Sequence, residues 1–183
     1  MPFARLTGNL IQGAGGAGFA VFQASEATLD GDTLQNNDTG LMVHSASKVR
    51  PGGQARPFTS RSNNRGIHVV RDAFAFVLAV VENNSSAGAI TLFHSTLDFG
   101  GSISGNTNGA IVDENSAARF VSATIRGNRG AGVIIGDLSM VTFSGATVNG
   151  NSGGIDVVCN PQFSGTRGVF TDTAGGTTNC VEP

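Results

Sequence analysis

The chain has 183 residues, a formal charge of −2, 39% hydrophobic and 13% charged residues, and neither tryptophan nor tyrosine. That is one domain's length; the charge excludes bulk attraction to nucleic acid, and no apolar run approaches the ~20 residues of a membrane span. The 27 glycines would fit disorder, but the hydrophobic residues recur at a regular period, which does not.

The N-terminus, Met1 to Leu6, lacks the apolar core of a signal peptide and enters the repeat almost at once, so it reads as a mature or excised piece. The repeat is clearest from Ala118 to Asn151, where Phe120, Ile125, Asn128 and Gly132 precede Val133-Ile134-Ile135. A second copy follows with Phe143, Val148, Asn151 and Gly154 before Ile155-Asp156-Val157. A period of this length with β-branched and small residues at fixed points marks a solenoid coil.

Each coil reads as three short strands. The first carries Leu6, Leu29, Phe76, Phe99, Phe120 and Phe143, with the four phenylalanines expected to stack inside the core at the ~4.8 Å strand spacing. The second is anchored by Ile11, Leu34, Ser60, Val81, Ile103, Ile125 and Val148. Three residues later come Asn37, Asn63, Asn84, Asn106, Asn128 and Asn151, and Ala14 in the first coil. Asparagine tolerates left-handed turn positions and its amides can bond from coil to coil, so this column is expected to be structural. The third strand opens at Gly18, Gly40, Gly66, Gly88, Gly109, Gly132 and Gly154, at intervals of 22, 26, 22, 21, 23 and 22. Its outward column is expected to be Ala20, Met42, His68, Ile90, Ile111, Ile134 and Asp156. Such an apolar stripe points to a buried partner, with a homo-oligomer through Met42, Ile90, Ile111 and Ile134 as one form.

The segments Thr124-Ile125-Arg126-Gly127-Asn128 with Gly132-Val133-Ile134-Ile135, and Thr147-Val148-Asn149-Gly150-Asn151 with Gly154-Ile155-Asp156-Val157, resemble the right-handed parallel β-helix (pectate lyase-like) superfamily over roughly residues 4–158. The resemblance implies an all-β, right-handed, three-sheet parallel β-helix of about seven coils over residues 1–158, ahead of a C-terminal cap or tail over 159–183. It says little about activity, since that superfamily spans lyases, hydrolases, epimerases, tailspikes, adhesins and passive stalks.

By the same resemblance, a sugar chain would lie outside the first sheet and on the loops entering it. The outward neighbours there are expected to be Arg5, Thr28, Asp30, Ala75, Asp98, Arg119 and Thr142. From Lys48 to Arg71 the chain holds six of its eleven basic residues and no acid, and the long 26-residue interval falls beside this run. Lys48, Arg50, Arg56 and Arg71 are therefore candidates for binding a carboxylated or sulfated glycan. A lyase or C5-epimerase acting on a uronate polymer would need a carboxylate neutraliser, a base and a proton donor, for which Asp98, Arg119 and His94 are the catalytic candidates.

No dense aspartate cluster announces calcium, and His44, His68 and His94 sit at different offsets, which disfavours a metal site; no cofactor is expected. The absence of tryptophan and tyrosine weakens a lectin reading. Cys159 and Cys180 read better as a disulfide closing the tail than as two buried thiols, which implies a secreted or cell-surface protein. The leading function is an exported surface scaffold or acidic-glycan-contacting module, and the alternative is the lyase or epimerase.

Overall fold

The computed structural model describes residues 2–159 together with 177, 178 and 180. Coil one holds β1 (Phe3–Arg5), β2 (Leu10–Gln12) and β3 (Ala17–Val21), and coil two β4 (Glu26–Leu29), β5 (Thr33–Gln35) and β6 (Thr39–His44). Coil three has β7 (Lys48–Pro51), β8 (Phe58–Arg61) and β9 (Arg65–Val70). The fourth and fifth have two strands each, β10 (Phe74–Glu82) and β11 (Ala87–Leu92), then β12 (Thr96–Ser104) and β13 (Asn108–Val112). The sixth has β14 (Ala117–Val121), β15 (Thr124–Arg126) and β16 (Val133–Ile135), and the seventh β17 (Met140–Ser144), β18 (Thr147–Asn149) and β19 (Val157–Cys159). All pair in parallel with their counterparts in adjacent coils, giving an all-β solenoid. Strands this short are held by stacking, not by their own length.

Two hydrogen-bonded sheets form where three were expected, one of twelve strands (sheet A) and one of seven (sheet B). The first two faces merge because β10 and β12 each run nine residues through the corner between them. In other coils the strand ends at a left-handed residue at this corner, Gly31 (φ 71°), Ser122 (φ 49°) or Gly145 (φ 62°), whereas β12 carries Gly101 (φ 111°) through it and stays paired with β10. The apolar run Ala73 to Val81 supplies no such residue and continues as one strand.

The core runs the length of the solenoid as stacked inward columns. Phe99, Phe120 and Phe143 form the expected aromatic column, with ring centroids 6.0 and 5.6 Å apart. Phe76 does not belong to it. Val77 pairs with Phe99, so Val77 points inward and Phe76 outward, 46% exposed. Val77 precedes Phe99 by 22 residues and Phe76 by 23; residue type favoured the phenylalanine, but a one-residue shift reverses the face of a strand.

The asparagine column is a continuous ladder. The Oδ1 of Asn63, Asn84, Asn106, Asn128 and Asn151 each accepts both the backbone N–H and the Nδ2–H of the preceding coil's asparagine, at 2.9 to 3.2 Å. The glycine column follows from it. A Cβ at Gly109 would run into the Gly132 carbonyl and lie 3.0 Å from Asn128 Nδ2, and Gly88 is confined the same way by Gly109 and Asn106.

The last coil departs from the expected register. Val133, Ile134 and Ile135 pair with Val157, Val158 and Cys159, not with residues 155–157, so Gly154 does not open the final strand and Asp156 is not in the outward column. Asp156 instead ends the ladder, its Oδ1 accepting Asn151 N–H (3.0 Å) and Nδ2–H (2.8 Å) and its Oδ2 accepting Thr177 N–H (3.1 Å). It stands in for the asparagine of an eighth coil. Thr178 then pairs with Val157, and the expected Cys159–Cys180 disulfide ties this return to the edge of sheet B. Most of the tail, 160–176, 179 and 181–183, lies outside the described residues.

Candidate functional site

The outer face of sheet A carries the site. Strand alternation and the pairing register place Arg5, Thr28, Arg50, Phe76, Asp98, Arg119 and Thr142 side by side along the solenoid. Two of the expected outward residues are not among them. Ala75 is fully buried in the core, and Asp30, past the end of β4, has a side chain with no exposed surface. Asp30 Oδ1 accepts the backbone N–H of Arg56 (3.0 Å) and its Nε–H (3.2 Å), and Oδ2 accepts Gln54 N–H (3.3 Å). Burial pushes this carboxyl up, but the Arg56 and Gln54 hydrogen bonds and the Arg56 charge outweigh it and hold the group below the usual carboxylate range. Asp30 thereby pins the long loop between β7 and β8.

That loop walls a groove of about 470 Å³ lined by Arg50, Pro51, Ala55, Phe76, Val77, Leu78, Phe99, Gly100 and Val121. Buried Val77 and Phe99 form its floor, and Leu78 leans over the bare backbone of Gly100, its Cδ1 3.3 Å from where a Cβ would stand. The lining is apolar except for Arg50. Phe76, Leu78, Gly100 and Val121 were not among the expected site residues; the 22-residue spacing from Val77 to Phe99 was the signal that could have turned Phe76 outward.

The basic run does not fold into one free positive patch. Arg50 Nε lies 3.3 Å from Glu26, Arg56 is held by Asp30, and Arg65 lies 3.5 Å from Asp38, so the acids of coil two neutralise the bases of coil three. Lys48 is exposed in register with Glu26, and Arg71 is exposed in a left-handed turn (φ 61°) before β10. Of these candidates only Arg50 lines the groove.

Asp98 and Arg119 meet on adjacent strands in a two-pronged pair, Nε to Oδ1 at 3.1 Å and Nη2 to Oδ2 at 2.9 Å. His94 is not brought to them. It occupies the left-handed turn before β12 (φ 58°), four residues ahead of Asp98 and off the strand positions that carry the pair. Among the described residues no group of His, Cys, Asp and Glu could hold a metal ion, and no helix is long and apolar enough to cross a membrane.

Sheet B carries the expected column with Val158 in place of Asp156: Ala20, Met42, His68, Ile90, Ile111, Ile134 and Val158 are in register, but Ile90 is already buried and the others are half-buried rather than open. Both ring nitrogens of His68 are buried without a hydrogen-bond partner. Desolvation, aided by the Arg65 and His44 charges and opposed by Asp38, lowers its pKa to about 4. A histidine whose folded pKa lies below the unfolded value contributes its full stability above about pH 6.5, losing it as the pH falls toward 4. The partly exposed ring limits the loss to about 1–2 kcal/mol. Urea unfolding at pH 7 and pH 4.5 will show this drop, and His68→Leu will remove most of it; an equal drop in the variant would place the titration elsewhere.

No protein-family model, curated protein or solved structure matches this chain. The architecture thus stands on the parallel pairing itself, and the chemistry on the groove.

Proposed function

We propose that the chain is an exported scaffold whose sheet A face contacts an acidic glycan. The observation that carries this reading is Phe76, an exposed aromatic ring in an apolar groove, beside Arg50 and one strand from the Asp98–Arg119 pair. An aromatic face stacks on the C–H face of a sugar, and a guanidinium binds a carboxylate or sulfate. The ring takes the part that tryptophan or tyrosine plays in many sugar sites. The placement also agrees with the resemblance to pectate lyase-like β-helices, in which sugar chains lie outside this sheet. The disulfide supports an extracytoplasmic location. The scaffold half of the reading draws on the apolar face of sheet B, the surface through which copies of the chain would associate.

Phe76→Ala will weaken binding to a uronate or sulfated polymer about tenfold, as measured by calorimetry against a polymer panel. Unchanged affinity, or no binding by the parent protein to any acidic polymer, would remove the reading. A lyase or epimerase is the second reading, favoured by the Asp98–Arg119 pair on the same face, and unsaturated products or C5 inversion on incubation with uronates would establish it.

A further inference from the structure

The charges along the sheet A face fall in a definite order. From coil three to coil six the outward positions read Arg50, Phe76, Asp98 and Arg119, that is a half-exposed guanidinium with its Nε beside Glu26, a neutral ring, and then an ion pair with its carboxylate first. Neighbouring positions are one strand spacing apart, ~4.8 Å, which is about the length one pyranose adds to an extended glycan. A glycan lying along the solenoid therefore meets these positions at close to one sugar each.

A polymer with a carboxylate on every sugar would set one against Phe76 and the apolar groove walls, where desolvation is penalised, and another against Asp98. Asp98 is 19% exposed and both of its oxygens are engaged by Arg119, so its carboxylate is held in place and cannot swing away to admit a second one. Arg119 is 56% exposed and offers its remaining edge to the next position. Acidic groups thus fit at Arg50 and Arg119, three spacings apart, with neutral sugars between them.

Resting on the glycan reading above, we propose that Asp98 is a specificity residue that selects a heteropolysaccharide in which acidic sugars are separated by neutral ones, and rejects a homopolyuronate. The rejection is the repulsive half of recognition, a like charge facing the wrong ligand.

The test measures binding of the full chain to three polymers of matched length: a homopolyuronate, a copolymer of acidic and neutral sugars, and a neutral glucan. The expected result is binding of the copolymer about tenfold tighter than the homopolyuronate, with the ratio falling to about twofold in Asp98→Asn. Thermal unfolding of Asp98→Asn should stay close to the parent, since Asn keeps the shape and one acceptor for Arg119, which is itself 56% exposed, and such half-exposed pairs add little. Equal or tighter homopolyuronate binding by the parent, or an unchanged ratio in the variant, overturns the selectivity while leaving the glycan reading in place. Failure of all acidic polymers to bind overturns both. Phe76→Ala tells the cases apart, because it should weaken the copolymer whether or not Asp98 discriminates.

Discussion

Phe120→Ala will lower the unfolding free energy by about 4 kcal/mol, the middle of the range for truncating a buried aromatic. Phe120 has no exposed surface and lies between the rings of Phe99 and Phe143. Truncation opens a void between two rings whose backbones are fixed by parallel pairing on both sides, so the site cannot collapse to fill it. Equilibrium unfolding in guanidinium will measure the loss. In a solenoid each coil touches mainly its neighbours, so amide exchange should rise first in coils five to seven. A loss under 1 kcal/mol would mean that the column does not carry the core.

Asn128→Ala will cost about 3 kcal/mol, through unmet hydrogen bonds rather than lost apolar area. Its Oδ1 accepts two bonds from Asn106, and its Nδ2–H groups donate to Asn151 Oδ1 (2.9 Å) and the Ile103 carbonyl (3.4 Å). All four partners lie in the interior, where water cannot replace the lost group. Asn128→Asp separates the two halves of the role. It keeps the acceptor for Asn106 but sets carboxylate oxygen against two other oxygens, and should be at least as destabilising at neutral pH. The same denaturant titration checks both variants, and an Asn128→Asp protein as stable as the parent would show that donation along the ladder is dispensable.

The ladder also explains why a carboxylate ends it. Asp156 only has to accept, since no further asparagine follows among the described residues. Burial pushes its carboxyl up, but hydrogen bonds from Asn151 and Thr177 bring it below the usual range, so this contribution is lost only in acid below the ordinary aspartate range. A second ladder went unread in the sequence. Ser47, Ser95, Ser116 and Ser139 are buried at the turn into sheet A, where their Oγ atoms accept N–H groups of Ser25, Ala73, Ser95 and Ser116. Its spacing matches the asparagine column, but serine is common in any turn, so the residue type carried little signal.

The candidate site was legible in part. Asp98 and Arg119 were placed on the correct face because alternation within a strand is a local property, readable once one inward residue is known, whereas Arg50, read only as one of a basic run, proved to lie on strand β7 of that face. Phe76 was misplaced because, of two adjacent large apolar residues, residue type favoured the phenylalanine over the 22-residue spacing of Val77, which the pairing with β12 bears out. The basic run read as a patch because linear sequence lists neighbours along the chain. In the solenoid the closer neighbours of coil three are coil two, whose Glu26, Asp30 and Asp38 lie about one period earlier and cancel much of the charge.

By itself the sequence determined the parallel solenoid, its coil length, the asparagine column and the glycine column as far as Gly132, because each is a constraint repeated from coil to coil, and it pointed to the closing disulfide because the chain has just two cysteines. Only the tertiary structure decided the merging of two faces into one sheet, the two-residue shift of the last coil, the burial of Asp30 and the groove beside Phe76. Each of these depends on single departures from the period. A departure has no repeat to average over, so its outcome is set by which contacts across coils satisfy the most backbone and bury the most apolar surface.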